Sequence, residues 1–428
     1  METAPESPEQ QGKGAILVLP TVAAGQQGPV AAWVSAAGWA SGLRRLLGDV
    51  WIVTPEGVMV PDELRRRAST ATLAAASVPP WHHRIPVLLK TAAKDAREWE
   101  RAKRFRIDPA GPWRGHDVAC VWQRHELFHA AGPRLARALG VPSVVFVPAP
   151  LVWQATQWGV RRPGWGQWIE RAGERAPLRA ADIVACGSDA VADQVRRIGV
   201  DPERIVITPS GADPDLFGTI PDREAARRRL GLDGEFVVGW IGSFRRFHAL
   251  EQAVDAVAGL DRTTLLLVGD GPERARVERL ARDRGIALRC TGTVPHDAIP
   301  EHLAAMDVGL VLASNERSFH YSPLKLAEYF AAGLAVIAPR AGALPAQVRD
   351  GVDAVLVGAG ATDELARALQ RLRDDPEARA RLGRAARSVA AERWSWDRSA
   401  ETVLAAVGGG RAGGTGGGRA GETEAGAR

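Results

Sequence analysis

Short apolar runs alternate along this chain with longer stretches of helical spacing, and that alternation narrows the fold more than any other feature. In the first half the runs are Ala15–Leu19, Val50–Val53, Val118–Trp122, Ser143–Val147, Ile183–Ala185 and Ile205–Ile207. In the second half they are Phe236–Trp240, Thr264–Val268, Leu288–Cys290, Val308–Val311, Ala335–Ile337 and Ala354–Leu356. Runs without in/out alternation belong to strands covered on both faces. With helical patterns between most of them, each half is expected to be a parallel sheet with helices on both sides, the doubly wound α/β arrangement. The break falls at Pro209–Phe217, where Pro and Gly interrupt both patterns, and a length of 428 residues suits two such domains. The expected division is 1–14 disordered, 15–212 and 213–392 as the two domains, 393–407 as a helix crossing back to the first domain, and 408–428 as a disordered Gly-rich tail.

Charge is less informative than it first looks. The excess of Lys+Arg over Asp+Glu is 55 against 50, but the only lysines are Lys13, Lys90, Lys94, Lys103 and Lys325. An arginine bias of this kind is compositional, so no nucleic-acid partner is expected. Cys120, Cys186 and Cys290 lie far apart without metal-ligand spacing, which excludes a zinc-finger or redox-pair reading and fits a reducing cytosol. The opening residues are polar and acidic, unlike a signal peptide, and no apolar run approaches the ~20 residues of a membrane span. A cytoplasmic protein is expected, with peripheral contact at the inner face of a membrane left open because of Arg-rich helices in the first half.

The most informative segment is Tyr321-Ser-Pro-Leu-Lys-Leu-Ala-Glu-Tyr-Phe-Ala-Ala-Gly333. Pro323 suits the first turn of a helix, whose free amides and positive dipole end favour an anion. Lys325 adds a mobile charge there, and Glu328 lies one turn on, at i+3 from Lys325 and i+4 from Leu324. It is the only lysine after position 103 in a chain that otherwise writes its cations as arginine. A diphosphate on the amides and lysine, with a carboxylate reaching adjacent hydroxyls, is what a nucleotide sugar requires; the plain alternative is a solvated Lys–Glu pair. A second segment, Val238-Gly-Trp-Ile-Gly-Ser-Phe-Arg-Arg-Phe-His-Ala-Leu250, runs from a strand through a glycine turn and a basic loop into a helix. It places Gly242 where backbone can approach phosphate, with Arg245, Arg246 and His248 beside it.

From about residue 15 to 407 the chain resembles the retaining GT-B glycosyltransferases of family 4 (group 1), in the branch with an S-P-L-K-x-x-E-Y signature carried here by Ser322 to Gly333. The resemblance implies two Rossmann-like domains facing across a cleft, the first taking the acceptor and the second the nucleotide sugar, UDP-linked by default, with no metal or other cofactor. It implies that Ser322, Pro323, Leu324 and Lys325 meet the donor phosphates or sugar and Glu328 the ribose. Gly242, Ser243, Arg245 and His248 would line the diphosphate, Thr293 and Val294 the base, and Gly28 of the first glycine loop the phosphates. His125, with His129 second and Arg124 as an alternative, would line the cleft after the third long strand run. Lys325, His248 and His125 are the implied catalytic groups.

The sequence departs from the family pattern at Ser243, His248, Ala249 and Ser210, and at His320, where a second glutamate often stands. These departures keep two other readings open: a weakly active GT-B relative serving as a nucleotide- or glycan-binding partner subunit, and an epimerase or phosphorylase of the same fold. Trp153, Trp158, Trp165 and Trp168, interleaved with amides and arginines, suit an acceptor platform, a membrane interface or plain packing. Asp213-Pro-Asp215 has the letters of a metal motif but sits in a Pro-rich hinge, where Asp caps turns.

Overall fold

The computed structural model describes residues 12–21, 30–70, 86–157, 159–232, 236–315 and 324–412. Among these residues the strands form two sheets. The first contains β1 (Gly14–Val18), β2 (Asp49–Thr54), β3 (Gly57–Met59), β4 (Val118–Arg124), β5 (Ser143–Val147), β6 (Ile183–Cys186) and β7 (Ile205–Ile207), in the order β3-β2-β1-β4-β5-β6-β7. The second contains β8 (Phe236–Ile241), β9 (Thr263–Val268), β10 (Ala287–Gly292), β11 (Val308–Leu310), β12 (Ala335–Pro339) and β13 (Val355–Val357), ordered β10-β9-β8-β11-β12-β13. All twelve expected strands are present, with ends shifted by a residue or two. The strand that periodicity did not reveal is β3, which returns antiparallel onto β2 and is too short to show a pattern.

Both sheets are otherwise parallel, and β1, β5, β8, β9 and β12 are buried at every position. Helices cover both faces, so each sheet lies between two apolar layers. The result is two Rossmann-like α/β domains. In each, strand order reverses beside the first strand, β1 against β4 and β8 against β11, and open sheets bind ligands at the carboxyl edge of such a switch point.

The chain passes between the domains twice, at Pro209–Asp213 and Trp394–Trp396, and the two passages are tied together. Ala212 donates its amide to Trp394 at 2.8 Å and accepts from Trp396 at 3.3 Å. Arg45, on the helix Val30–Leu47, reaches Asp215 at 2.8 Å and Asp397 at 2.6 Å, while Arg65 reaches Asp213 at 3.2 Å. Asp213 also caps the short helix Pro214–Phe217 through the amide of Asp215, so the D-P-D letters serve a turn and a hinge ion network.

The last helices differ from the expected boundaries. One helix runs Pro376–Arg393, and the helix that crosses back runs Trp396–Ala412 against Val30–Leu47. Gly408 to Gly410 are therefore helical rather than part of a disordered tail, because a helix already anchored by buried Ala400, Val403, Leu404 and Val407 propagates cheaply past its last packed turn. At the other end β1 begins at Gly14, a residue assigned above to the disordered terminus; its amide is held by the Asp117 carbonyl at 2.7 Å.

Candidate functional site

The carboxyl edge of the second sheet is assembled from three loops held close by glycine. Gly242 follows β8 with φ +145°, and a Cβ there would lie 2.9 Å from the Trp240 ring and 3.1 Å from the Lys325 Nζ. A Cβ on Gly269 would fall 1.9 Å from the Gly242 carbonyl oxygen, so the loop after β9 packs against the loop after β8 only because that residue lacks one. The amide of Phe244 donates to Asp270 at 2.9 Å and that of Gly269 to Gly292 at 2.9 Å, which ties in the loop after β10.

The helix Leu324–Ala331 stands over this edge. The Tyr329 hydroxyl, fully buried, accepts from the Ile241 amide at 2.9 Å and fixes the helix against the end of β8. One turn back, Lys325 Nζ lies 3.8 Å from the centroid of the Trp240 ring, a cation–π contact that holds the amine at the mouth of the Gly242 turn. Burial pulls its pKa down to about 7, with Glu328 opposing the shift. His248 is buried edge-on to the same indole, 5.2 Å between centroids. Burial, then the nearby Lys325 and Arg245 charges, push its pKa far below the usual imidazole value, so it is neutral at physiological pH. Leu324 packs against the core of the first domain, which puts Lys325 beside the domain boundary.

Glu328 is buried and meets His296 Nε2 at 2.8 Å. A carboxylate can only accept, so Nε2 is the donor. His296 opens a single 3-10 turn, His296–Ala298, that packs edge-on to Phe217 of the hinge and contacts the first-domain helix Pro61–Thr70. Sequence reading passed over His296, although it stands two residues beyond Val294. Thr293 and Val294 lie half-buried on the loop after β10. The structure thus gathers Gly242, Lys325 and His248 around one indole, with Arg245 close enough to His248 to repel its proton and Glu328 one turn from Lys325. Ser243 is half-buried in the same loop. Gly28, Trp158, His320, Ser322 and Pro323 lie outside the described residues.

Ala249, where the family pattern has glycine, adopts φ +49°, ψ +47°. An L side chain in the left-handed region costs roughly 1 kcal/mol. Ala249→Gly is therefore expected to raise stability by up to about 1 kcal/mol, read as a higher urea midpoint at unchanged m-value.

On the first domain, His125 follows β4 and is buried. Its Nε2 meets Glu174 Oε1 at 3.1 Å, and Nδ1 has no partner among the described residues. Glu174 comes from the π-wound turn Ile169–Arg175 and also accepts from the amides of Leu151 and Val152, at the start of the helix Leu151–Gln157. No local pattern announces this glutamate, 49 residues away in sequence. His129 is buried with neither ring nitrogen bonded among the described residues. Burial, then Arg134, His125 and Arg101, lower its pKa to about 4. Arg124 pairs with Glu126 at 2.5 Å, so it is committed to a carboxylate. Nearby, a cavity of about 600 Å³ opens at the carboxyl ends of β1 and β2, lined by Thr21, Thr54, Arg101, Arg104, Arg106 and Trp113 among others. Of the tryptophan cluster, Trp165 donates to the buried Asp95 at 3.0 Å, Trp153 is half-buried, and Trp168 is exposed.

Two doubly wound domains joined at a paired hinge are the GT-B arrangement. The chain belongs to the group 1, family 4 glycosyltransferases. Residues 32–216 match the profile described as Glycosyltransferase Family 4 and residues 235–375 that described as Glycosyl transferases group 1. It is 33% identical over 260 residues to a 2-deoxystreptamine glucosyltransferase of Streptomyces kanamyceticus, covering 58% of this chain and 65% of that one. It is 35% identical over 251 residues to a D-inositol 3-phosphate glycosyltransferase of Geodermatophilus obscurus, covering 55% and 54%. The chain thus spans between about half and two thirds of the length of these curated relatives. The fold matches that of Anabaena Alr3699/HepE in complex with UDP-glucose, with a TM-score of 0.62 at 18% identity over 92% of this chain and 99% of that one.

Proposed function

We propose that this chain is a retaining glycosyltransferase that moves a sugar from a nucleoside-diphosphate sugar, UDP-linked by default, to a hydroxyl of an acceptor held on the first domain. The observation that carries the reading is the Lys325 ammonium, parked on Trp240 at the glycine-lined edge of the second sheet with a buried carboxylate one turn on. As the bond from the sugar to the diphosphate lengthens, negative charge grows on the leaving group and positive charge on the sugar ring. Lys325, Arg245 and the amides around Gly242 are fixed charges and dipoles placed to meet the first. Neutral His248 can donate a hydrogen bond without adding a cation. Glu328, held by His296, takes the ribose hydroxyls. His125, oriented by Glu174, is the group assigned to the acceptor side.

The relatives' names set two acceptor chemistries side by side, an amine-bearing cyclitol and a phosphorylated one. Of the arginines lining the first-domain cavity, Arg101 and Arg104 are paired with Glu98 and Glu100, and Arg106, which makes no ion pair among the described residues, favours the anionic kind. The chain is read as working at the cytoplasmic side, in peripheral contact with a membrane.

The direct test is a donor screen read by mass spectrometry, with UDP-, GDP- and ADP-sugars against phosphorylated and amine-bearing polyols. Transfer with the anomeric configuration kept is expected; stabilisation by nucleotide without hydrolysis or transfer would favour the partner-subunit reading instead. His296→Ala is expected to raise donor KM about tenfold with kcat little changed, the effect of losing one hydrogen bond to a charged group that acts equally in ground and transition states. His296→Gln, which can still donate, should recover most of it. An unchanged KM in the alanine variant would detach His296 from donor binding.

A further inference from the structure

Among the described residues eight large apolar side chains are exposed; four of them lie on one helix and a fifth packs against it. Val87 is 68% exposed, Leu88 44%, Leu89 61% and Trp99 41%, all on the helix Val87–Arg104; Trp168, 48% exposed, packs edge-on against Trp99 at 6.1 Å. The same helix carries Lys90, Lys94 and Lys103, three of the five lysines in a chain whose other cations are nearly all arginine.

The residues divide by helical spacing into three stripes. Thr91, Asp95 and Ala102 form the buried seam. Leu88, Ala92, Ala96 and Trp99 follow each other at steps of four, four and three along one edge of the exposed side. Lys90, Lys94, Arg97 and Arg101 follow at steps of four, three and four along the other, with Leu89 on the crest between. Each of the helix's three carboxylates is matched by an arginine: Asp95 by Arg162 at 2.8 Å, Glu98 by Arg101 at 3.2 Å and Glu100 by Arg104 at 3.0 Å. Lys90, Lys94 and Arg97 make no ion pair among the described residues, and Lys103 Nζ rests 3.4 Å above the Trp99 ring. The helix therefore presents net positive charge along one edge of its exposed side and leucine and indole along the other. A nucleic acid would use the charge and leave the apolar side chains wet. A bilayer of anionic lipid uses both, with aliphatic and indole groups entering the headgroup boundary and long lysine stems lying beside them.

We propose that the exposed side of the helix Val87–Arg104, together with Trp168, docks this protein on an anionic lipid surface. The proposal deepens the reading of peripheral membrane contact and names its surface. The helix ends at Arg101 and Arg104, which line the first-domain cavity, so docking brings the mouth of the candidate acceptor site close to the lipid.

The test is co-sedimentation of the full chain with phosphatidylcholine vesicles, with and without about a third phosphatidylglycerol. Binding to the anionic vesicles and not to the neutral ones is expected, lost on raising the salt, and weakened about tenfold or more by Lys90→Glu/Lys94→Glu. Leu88→Ser/Leu89→Ser should weaken it at unchanged Tm. Absence of binding by the folded parent, equal binding to neutral vesicles, or indifference to the charge reversal would overturn the proposal. So would vesicle-independent capture of DNA, self-association through this helix, or a fall in Tm with Leu88→Ser/Leu89→Ser and no vesicle binding, which would mean the chain itself covers these residues. Donor hydrolysis without vesicles should be unchanged in all four substitutions. Vesicle binding by a parent with no donor hydrolysis would sink the catalytic reading and leave the docking surface standing.

Discussion

Lys325→Met is expected to lower kcat by about 10²–10³-fold, the usual consequence of removing one preorganised charge from a developing anion, without lowering stability. The second half of that expectation follows from the desolvation of its half-buried amine. Burial brings the lysine to about pKa 7 in the folded chain, whereas an unfolded lysine titrates near 10.4. Between those values the unfolded state binds more protons than the folded one, so this group makes stability rise with pH across that window. Below pH 7 the lysine is charged in both states and its burial is a net cost. Methionine, of similar length, removes the charge and leaves the contact with Trp240. The variant should therefore unfold at the parent's urea midpoint or above it at pH 7, and lose the rise in stability toward pH 10. UDP affinity gives the complementary readout. A diphosphate favours the protonated amine, so affinity should fall by up to about tenfold per pH unit above pH 7 in the parent and stay flat in the methionine variant. Titration calorimetry between pH 7 and 9 measures both. Equal UDP binding by parent and variant would remove Lys325 from the donor site; a large loss of stability would make it a structural residue.

The sequence carried this lysine plainly because its two signals are local. A Pro-Leu-Lys turn and a carboxylate three residues on are legible wherever they stand, and the arginine bias of the remaining chain made the lysine conspicuous. The same holds for β1, β5, β8, β9 and β12, which are buried on both faces and so appear as unbroken apolar runs. What stayed illegible depends on distance. Glu174 reaches His125 across 49 residues and His296 reaches Glu328 across 32, in each case because a helical turn meets the segment that follows a strand. Asp95 is an ordinary carboxylate in a basic helix until the fold buries it against Arg162 and Trp165. The extent of the last helix was misjudged for a related reason. Gly408–Gly410 read as helix-breaking in isolation, and the contacts that hold the preceding turns come from the other end of the chain.

Those contacts set the second large effect. Trp396 opens the helix that crosses back, and its indole is buried in the first-domain core against Trp39, 5.9 Å between centroids. It fits because the opposing helix has glycine at two successive turns. A Cβ at Gly38 would stand 2.1 Å from the indole nitrogen, and one at Gly42 would stand 2.6 Å from the Trp396 carbonyl oxygen. Trp396→Ala is expected to cost about 3–5 kcal/mol, the range for emptying a buried aromatic site, and to lower Tm by roughly 10 °C for a domain of this size. Gly38→Ala, which overfills the same site, should cost about 1–3 kcal/mol. By contrast Asp397→Asn, which weakens a partly exposed pair with Arg45, should cost no more than about 1 kcal/mol. The functional consequence separates the two domains. In the proposed reading the donor contacts lie on the second sheet, so UDP affinity of the folded Trp396→Ala protein should survive. In the same reading transfer needs both sheets held across the hinge, and the tryptophan anchors one of the two passages there, with Ser399 fastening it to the Pro209 carbonyl at 3.1 Å. Loss of transfer with UDP binding retained is therefore the expected result at a temperature where the variant is folded. A variant that keeps its full rate of transfer would show that the crossing helix serves stability alone.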